Sequence, residues 1–245
     1  MTRIRFQQSL DELKENLLVM AGLAEQAIQR AIEAYRVRDL SICDLVSRSE
    51  NAINRLEREI DQAALDLLAM EQPMAIDLRF ILSVIKINAD LERVGDSAKS
   101  ISDRVRNMEQ MASVDLPVDI PRMAGLATEM VRKSLQAFID ADPDVARTVL
   151  TMDDAVDKMN RAAYTSLTKV MEEQSHIAPQ ALNALMISRA LERVADHATN
   201  IAEDVIFWVQ GDDVRHAKSV AKQAKAKAAA EAAATSATES QTPAN

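Results

Sequence analysis

The chain has 245 residues, of which 48% are hydrophobic but only 3% aromatic, with four Gly and six Pro; it can bury a sizeable core yet lacks the aromatic and turn residues that sheet proteins rely on. A net charge of −9 disfavours sequence-independent nucleic-acid binding, which needs clustered Lys and Arg, and favours a multivalent cation or a basic protein surface as partner. The composition therefore points to an all-α protein.

The N-terminal stretch MTRIRFQQSLDELKENLL turns polar too soon for a signal peptide, and no apolar run of about 18 residues follows to span a bilayer, so a cytoplasmic location is expected. The first predicted helix runs from about Arg5 to Arg38, with Leu10, Leu13, Leu17, Met20, Ala24, Ala27, Ala31 and Ala34 recurring at steps of three and four in a coiled-coil-like seam. Asp39 and Ser41 are candidate N-caps for a second helix reaching Glu71, with a seam of Val46, Ser49, Ile53, Leu56, Ile60, Ala63, Leu67 and Met70. Cys43, the one cysteine, lies within this pattern; it forms no internal disulfide and reads as core filler in a reducing compartment. Pro73 ends the helix.

A third helix from about Ala75 has the steadiest period: Phe80, Val84, Ile87, Leu91, Val94, Ala98, Ile101, Val105 and Met108. The segment VDLPVDIP, residues 114–121, carries two prolines that no helix tolerates in its interior. It is the expected linker between a first lobe, residues 1–113, and a second, residues 122–211. A fourth helix spans about Pro121 to Asp140. A fifth starts at Pro143, a residue suited to a first helical position, and reaches Glu173 with one soft seam position at Ser166. The sixth repeats the third: Ala184, Ile187, Leu191, Val194, Ala198, Ile201, Val205 and Trp208, closed by Gly211 as a C-cap candidate. Residues 212–245 form a low-complexity tail, expected to be disordered or transiently helical, whose Lys218, Lys222, Lys225 and Lys227 read first as solubilising. The predicted architecture is two pseudo-twofold-related antiparallel three-helix bundles.

The third and sixth helices share a segment. LERVGDSAKSISDRV (91–105) and LERVADHATNIAEDV (191–205) match at eight of fifteen positions at an offset of 100. Each copy holds an acid pair one helical turn apart, Glu92 with Asp96 and Glu192 with Asp196, and like charges so placed oppose the helix slightly. With Leu91 and Val94 at seam positions a and d, Glu92 falls at b and Asp96 at f, on the outer face. The second and fifth helices carry related pairs one residue after seam positions, Glu50 with Asn54 and Asp153 with Asp157. If these helices are neighbours, four oxygen-bearing side chains converge in each lobe, with Asp103 and Glu203 near. Such hard ligands in an open site suit Mg²⁺, Mn²⁺, Ca²⁺ or iron. A solvated helix face remains the competing reading of the same residues. His197 adjoins Asp196 as a weaker candidate. A ferritin-type site needs Glu-x-x-His pairs facing a core, which neither copy has, and no nucleophile–base constellation is visible.

On EQPMAIDLRFILSVIKINADLERVGD in the first half and HIAPQALNALMISRALERVADHATNIAEDVIFWVQGDDVRH in the second, the chain resembles the PhoU family of phosphate-transport regulators from the first helix to about His216. The resemblance rests on two copies of the E(D)xxxD signature, the QPxxxDLR turn and the aromatic-ending sixth helix. It implies two three-helix bundles with surface metal sites holding iron, zinc, manganese or magnesium. Carried over by position, Glu50, Glu92 and Asp96 would serve the first site and Asp153, Asp157, Glu192 and Asp196 the second. Asn54 stands where the motif has Asp; its amide oxygen can coordinate, but with less charge, so the second site is expected to bind its cation more tightly. The resemblance further implies a negative regulator of phosphate uptake and of the phosphate-starvation response. Such a protein would be a non-enzymatic cytoplasmic adaptor between the ATPase subunit of the Pst ABC transporter and a PhoR-type sensor histidine kinase. It would form a homodimer or higher oligomer, meet the membrane only through its partners, and bind no nucleic acid. A metal-dependent enzyme or metal-storage protein built on the same acids is the alternative.

Overall fold

The apolar seams fold into six long α-helices in the computed structural model, which describes residues 3–214. They are α1 (Arg3–Val37), α2 (Leu40–Glu71), α3 (Ile76–Asn107), α4 (Ile120–Asp140), α5 (Pro143–Glu173) and α6 (Ala178–Gln210), with one 3-10 turn over Ser175–Ile177. No strand occurs among the described residues. Helices α1, α2 and α3 pack together, α4, α5 and α6 do likewise, and α3 lies along α6 to join the two sets. The result is two three-helix bundles, with the long seams of α3 and α6 at the centre of one compact unit reaching Asp212.

The seam residues explain why the helices sit as they do. Every predicted seam position of α1 and α3 is buried, and so are those of α6 up to Val205, while Trp208 is half-buried. Trp208 closes one end of the molecule against Phe80 and Phe138, with ring centroids 5.1 and 5.3 Å away. Ala and Gly along these faces let the backbones approach closely. The α2 seam drifts towards its C-terminus: Ala64 replaces Ala63 as the fully buried residue, and Met70 is 63% exposed. A straight helix turns relative to a strict seven-residue repeat, which carries the last turn of the stripe off the interface. Cys43 is buried, as expected of core filler. Ser166, the soft position in α5, is covered by donating to Ala162 O at 2.9 Å and to Pro117 O at 3.3 Å.

The ends follow from local chemistry. Asp39, rather than Ser41, caps α2, its carboxylate accepting the Ser41 N–H at 2.8 Å. Asp142 accepts from the Asp144 and Val145 N–H groups at 2.8 and 3.1 Å, with Pro143 at the first helical position of α5. Helix α4 begins at Ile120, inside the expected 114–121 linker, because Asp119 accepts the Arg122 N–H at 3.0 Å. Gly211, at φ +80°, ends α6 in the left-handed conformation and donates to Phe207 O at 2.9 Å. Of the predicted tail, residues 215–245 lie outside the described residues. Among the described residues no helix is long and apolar enough to cross a membrane.

Candidate metal centres

The register that buries Leu91, Val94 and Ala98 of α3 leaves Glu92 and Asp96 at the edge of the interface with α2 rather than on a freely solvated face. The Glu92 side chain is only 15% exposed. Gly95, between the two acids, sets how closely α2 approaches: a Cβ there would stand 2.9 Å from Ile53 Cδ1. Crowding by the protein is the main cause that raises the Glu92 carboxyl above the ordinary range, followed by the charge of Asp96 and then Glu57, with Arg93 opposing. Arg93 lies 3.3 Å from Glu92 and 3.4 Å from Asp96 and spans the pair.

Glu57 was not among the sequence candidates. It stands seven residues after Glu50 and three after Asn54, on the same strip of α2, and that heptad spacing is the signal that finds it. Glu50 and Asn54 themselves pair with each other, the Asn54 amide donating to Glu50 Oε1 at 2.6 Å. That bond leaves the Asn54 carbonyl oxygen, which is buried, without a hydrogen-bond donor among the described residues. The structure thus joins Glu92 to Asp96 and Glu57 electrostatically, and Glu50 to Asn54 directly.

The second lobe is more tightly coupled. The Glu192 carboxyl is raised first by burial, then by Asp157 and Asp153, against Arg189 and Arg193. Asp196 is pushed up to about 6, by desolvation first and then by Glu192, Asp153 and Asp157, while His197 opposes. Asp196 keeps an open flank to solvent, so the enclosing charges weigh beside desolvation in holding its proton. Asp157 also pairs with Arg161 at 3.0 Å. All four predicted acids of this lobe therefore act on one another.

His197 does not join this group as a ligand. Its Nδ1 turns across to α3 and lies 2.8 Å from Asp90 Oδ1, which also accepts from Asn200 at 3.0 Å. Counting Glu57 with its strip evens the formal charge between the two lobes. On α2 the strip reads Glu50, Asn54, Glu57, and on α5 it reads Asp153, Asp157, Asn160. Each lobe offers two carboxylates and one amide from this strip, and two carboxylates from α3 or α6. Asn160 Oδ1, unlike Asn54 Oδ1, already accepts a hydrogen bond, from Ser188 at 2.9 Å.

Among the described residues, no three His, Cys, Asp or Glu side chains stand close enough together to form a ready coordination sphere. The chemistry of the donors nonetheless fits a hard cation: carboxylates whose proton affinity is raised by burial first and by mutual repulsion second, and a buried amide oxygen with no donor among the described residues. A metal bound here would supply the positive charge that the crowded carboxylates lack. Glu50, Glu57, Glu92, Asp96 and the Asn54 amide would hold it in the first lobe, and Glu192, Asp196, Asp153 and Asp157 in the second.

Comparison with known proteins meets the same two halves. The PhoU domain family matches residues 17–105 and again 120–205, one match in each three-helix set. A phosphate-specific transport system accessory protein PhoU homolog of Pseudomonas aeruginosa is 36% identical over 213 residues, covering 86% of this chain and 88% of that protein. The protein of the same description from Clostridium acetobutylicum is 32% identical, with 87% and 98% covered. The crystal structure of PhoU from Pseudomonas aeruginosa superposes with a TM-score of 0.82 at 35% identity, over 84% of this chain and 100% of that one. The phosphate transport system regulatory protein PhoU from Streptococcus pneumoniae gives a TM-score of 0.79 at 27% identity, with 85% and 99% covered. With each half matched in its own register and the relatives covered over most or all of their length, the chain belongs to the PhoU family.

Proposed function

We propose that this protein regulates phosphate transport as a non-enzymatic, cytoplasmic adaptor. It restrains uptake and the starvation response when phosphate is plentiful, by docking both the ATPase subunit of a Pst-type ABC transporter and a PhoR-type sensor histidine kinase. It acts as a homodimer or higher oligomer and carries iron, zinc, manganese or magnesium at its two acid clusters. The observation that carries the reading is the doubled acid cluster, one per lobe, held at the bundle surface by the same register that builds the core. Its likeness to proteins named as phosphate-specific transport system accessory proteins supports the pathway. Long helical faces suit docking onto partner helices.

The decisive experiment is deletion in a strain without a second family member, with transcripts of phosphate-starvation genes measured in high and low phosphate. Constitutive expression in high phosphate is expected, and intact repression would overturn the proposal. The acid clusters alone would also suit a metal-dependent hydrolase or a metal store. Elemental analysis of protein purified without chelator, followed by a hydrolase screen, separates these readings: turnover lost in Glu192→Ala would favour the enzyme.

A further inference from the structure

Where α3 runs beside α6, a cavity of about 380 Å³ opens next to the first acid cluster, with Arg93, Lys99, Arg104 and Arg193 all on its wall. Four cations around one cavity repel one another, and in a chain of net charge −9 their gathering needs an anionic counterpart. Part of it is internal: Arg93 lies 3.3 Å from Glu92 and 3.4 Å from Asp96, Lys99 bonds to Asp103, and Arg193 faces the charge of Glu192 beside the cavity. The wall itself holds two more cations than carboxylates. Arg104 Nε is buried and has no acceptor among the described residues. A buried guanidinium N–H without an acceptor carries a desolvation cost that a bound oxyanion removes. Ser97 and Ser100 add hydroxyl donors to the same wall, and His197 borders it from α6.

We propose that this cavity binds free inorganic phosphate. The guanidinium forks supply the paired donors that a tetrahedral oxyanion accepts, and the serines complete its coordination. The two carboxylates set selectivity. Phosphate keeps at least one proton near neutrality, and its P–OH can donate to Asp103, or to Asp96 when no metal occupies the first acid cluster. Sulfate, fully ionised, has no proton to give and meets only repulsion there. The proposal gives the regulatory reading a ligand, but it stands on the cavity's own residues and needs no metal.

The test is calorimetric titration of the full-length, chelator-treated protein with inorganic phosphate. Saturable binding is expected, with sulfate and a nucleoside monophosphate at least about tenfold weaker. Arg104→Gln and Arg193→Gln should each lower affinity by about tenfold or more, the effect of one charge-assisted hydrogen bond. Arg132→Gln, at a residue paired with Glu25 away from the cavity, should leave it unchanged. If Arg104→Gln does not fold, Arg193→Gln, at an exposed residue, carries the test alone. Absence of saturable binding, an affinity within about twofold of wild type in the folded Arg variants, or equal binding of sulfate or the monophosphate would overturn the proposal. Binding is read in the purified protein and repression in the deletion strain, so either can fail without the other.

Discussion

At Asp196 the proton equilibrium and the fold are linked, because an acid lifted from 3.8 to about 6 in the folded chain holds its proton more tightly folded than unfolded. Its contribution to stability is therefore full below about 3.8 and is lost as pH rises through about 6. In chelated protein, Asp196→Asn removes the repulsion and should raise Tm at pH 7 by about 2–4 °C, the effect of about 1 kcal/mol in a chain of this size, discounted for the open flank of the carboxyl. The gap should close near pH 4, and thermal melts showing the same gap at both pH values would refute the linkage. Glu57 supports a second residue-scale prediction. Because it restores the carboxylate that Asn54 lacks, Glu57→Gln should weaken cation binding in the first lobe by about tenfold, as read by metal titration in a background carrying Glu192→Gln and Asp196→Asn, and leave the second lobe unchanged in a background carrying Glu92→Gln and Asp96→Asn. Reading only i, i+4 pairs finds Asn54 as a defect; the heptad step to Glu57 shows that the amide and the carboxylate have exchanged places between lobes. The sequence does not disclose that Asn54 donates to Glu50, since rotamer choice depends on what the neighbouring helix leaves open.

Among the helices, the approach of α2 to α3 depends on one glycine. Gly95→Ala gains helix propensity of about 1 kcal/mol, but the new methyl would meet Ile53 Cδ1 at 2.9 Å and Cγ2 at 3.4 Å. Ile53 is fully buried and stiff at χ1, so overpacking of about 1–3 kcal/mol prevails and a net loss of about 1 kcal/mol is expected. The second lobe has already made the reciprocal choice, with Ala195 in place of Gly95 and Val156 in place of Ile53. Hence Gly95→Ala combined with Ile53→Val should be no less stable than Ile53→Val alone. Denaturant melts of the three variants check this, and simple additivity of the two losses would refute it. Helix existence was readable because the seams repeat at a helical period and the ends are chemical: Asp39 caps α2, Pro143 opens α5 and Gly211 closes α6 where the sequence places them. A fixed heptad places Met70 in the core, where the structure exposes it, because such a repeat ignores how a straight helix drifts from it.

At the scale of the whole molecule, the junction of α3 with α6 makes one body of two bundles, and it was the least readable part. Ser83, Lys86, Asp90, His197, Asn200 and Asp204 fall beside the seams, where polar residues look like an ordinary solvated face. In the structure Ser83 donates to Asp204 O at 3.0 Å, Lys86 reaches Asp204 Oδ1 at 2.9 Å, and His197 meets Asp90. The Lys86 ammonium also lies 4.9 Å from the Phe207 ring centroid. A joint built of such pairs ties the unfolding of one lobe to that of the other, so calorimetry of the wild type should give a single transition with matching calorimetric and van't Hoff enthalpies. Lys86→Met removes the cation facing an Asp204 side chain that is only 7% exposed. The Lys86 side chain is 35% exposed, which places the loss below the full cost of breaking a buried pair, at about 2 kcal/mol or roughly 5 °C in Tm. Lys86→Met with Asp204→Leu replaces both charges by apolar groups and should recover at least half of that loss. If Lys86→Met instead melts like the wild type, the Lys86–Asp204 pair adds nothing to the joint; if the double variant is worse than the single one, Asp204 stabilises the joint through contacts other than Lys86.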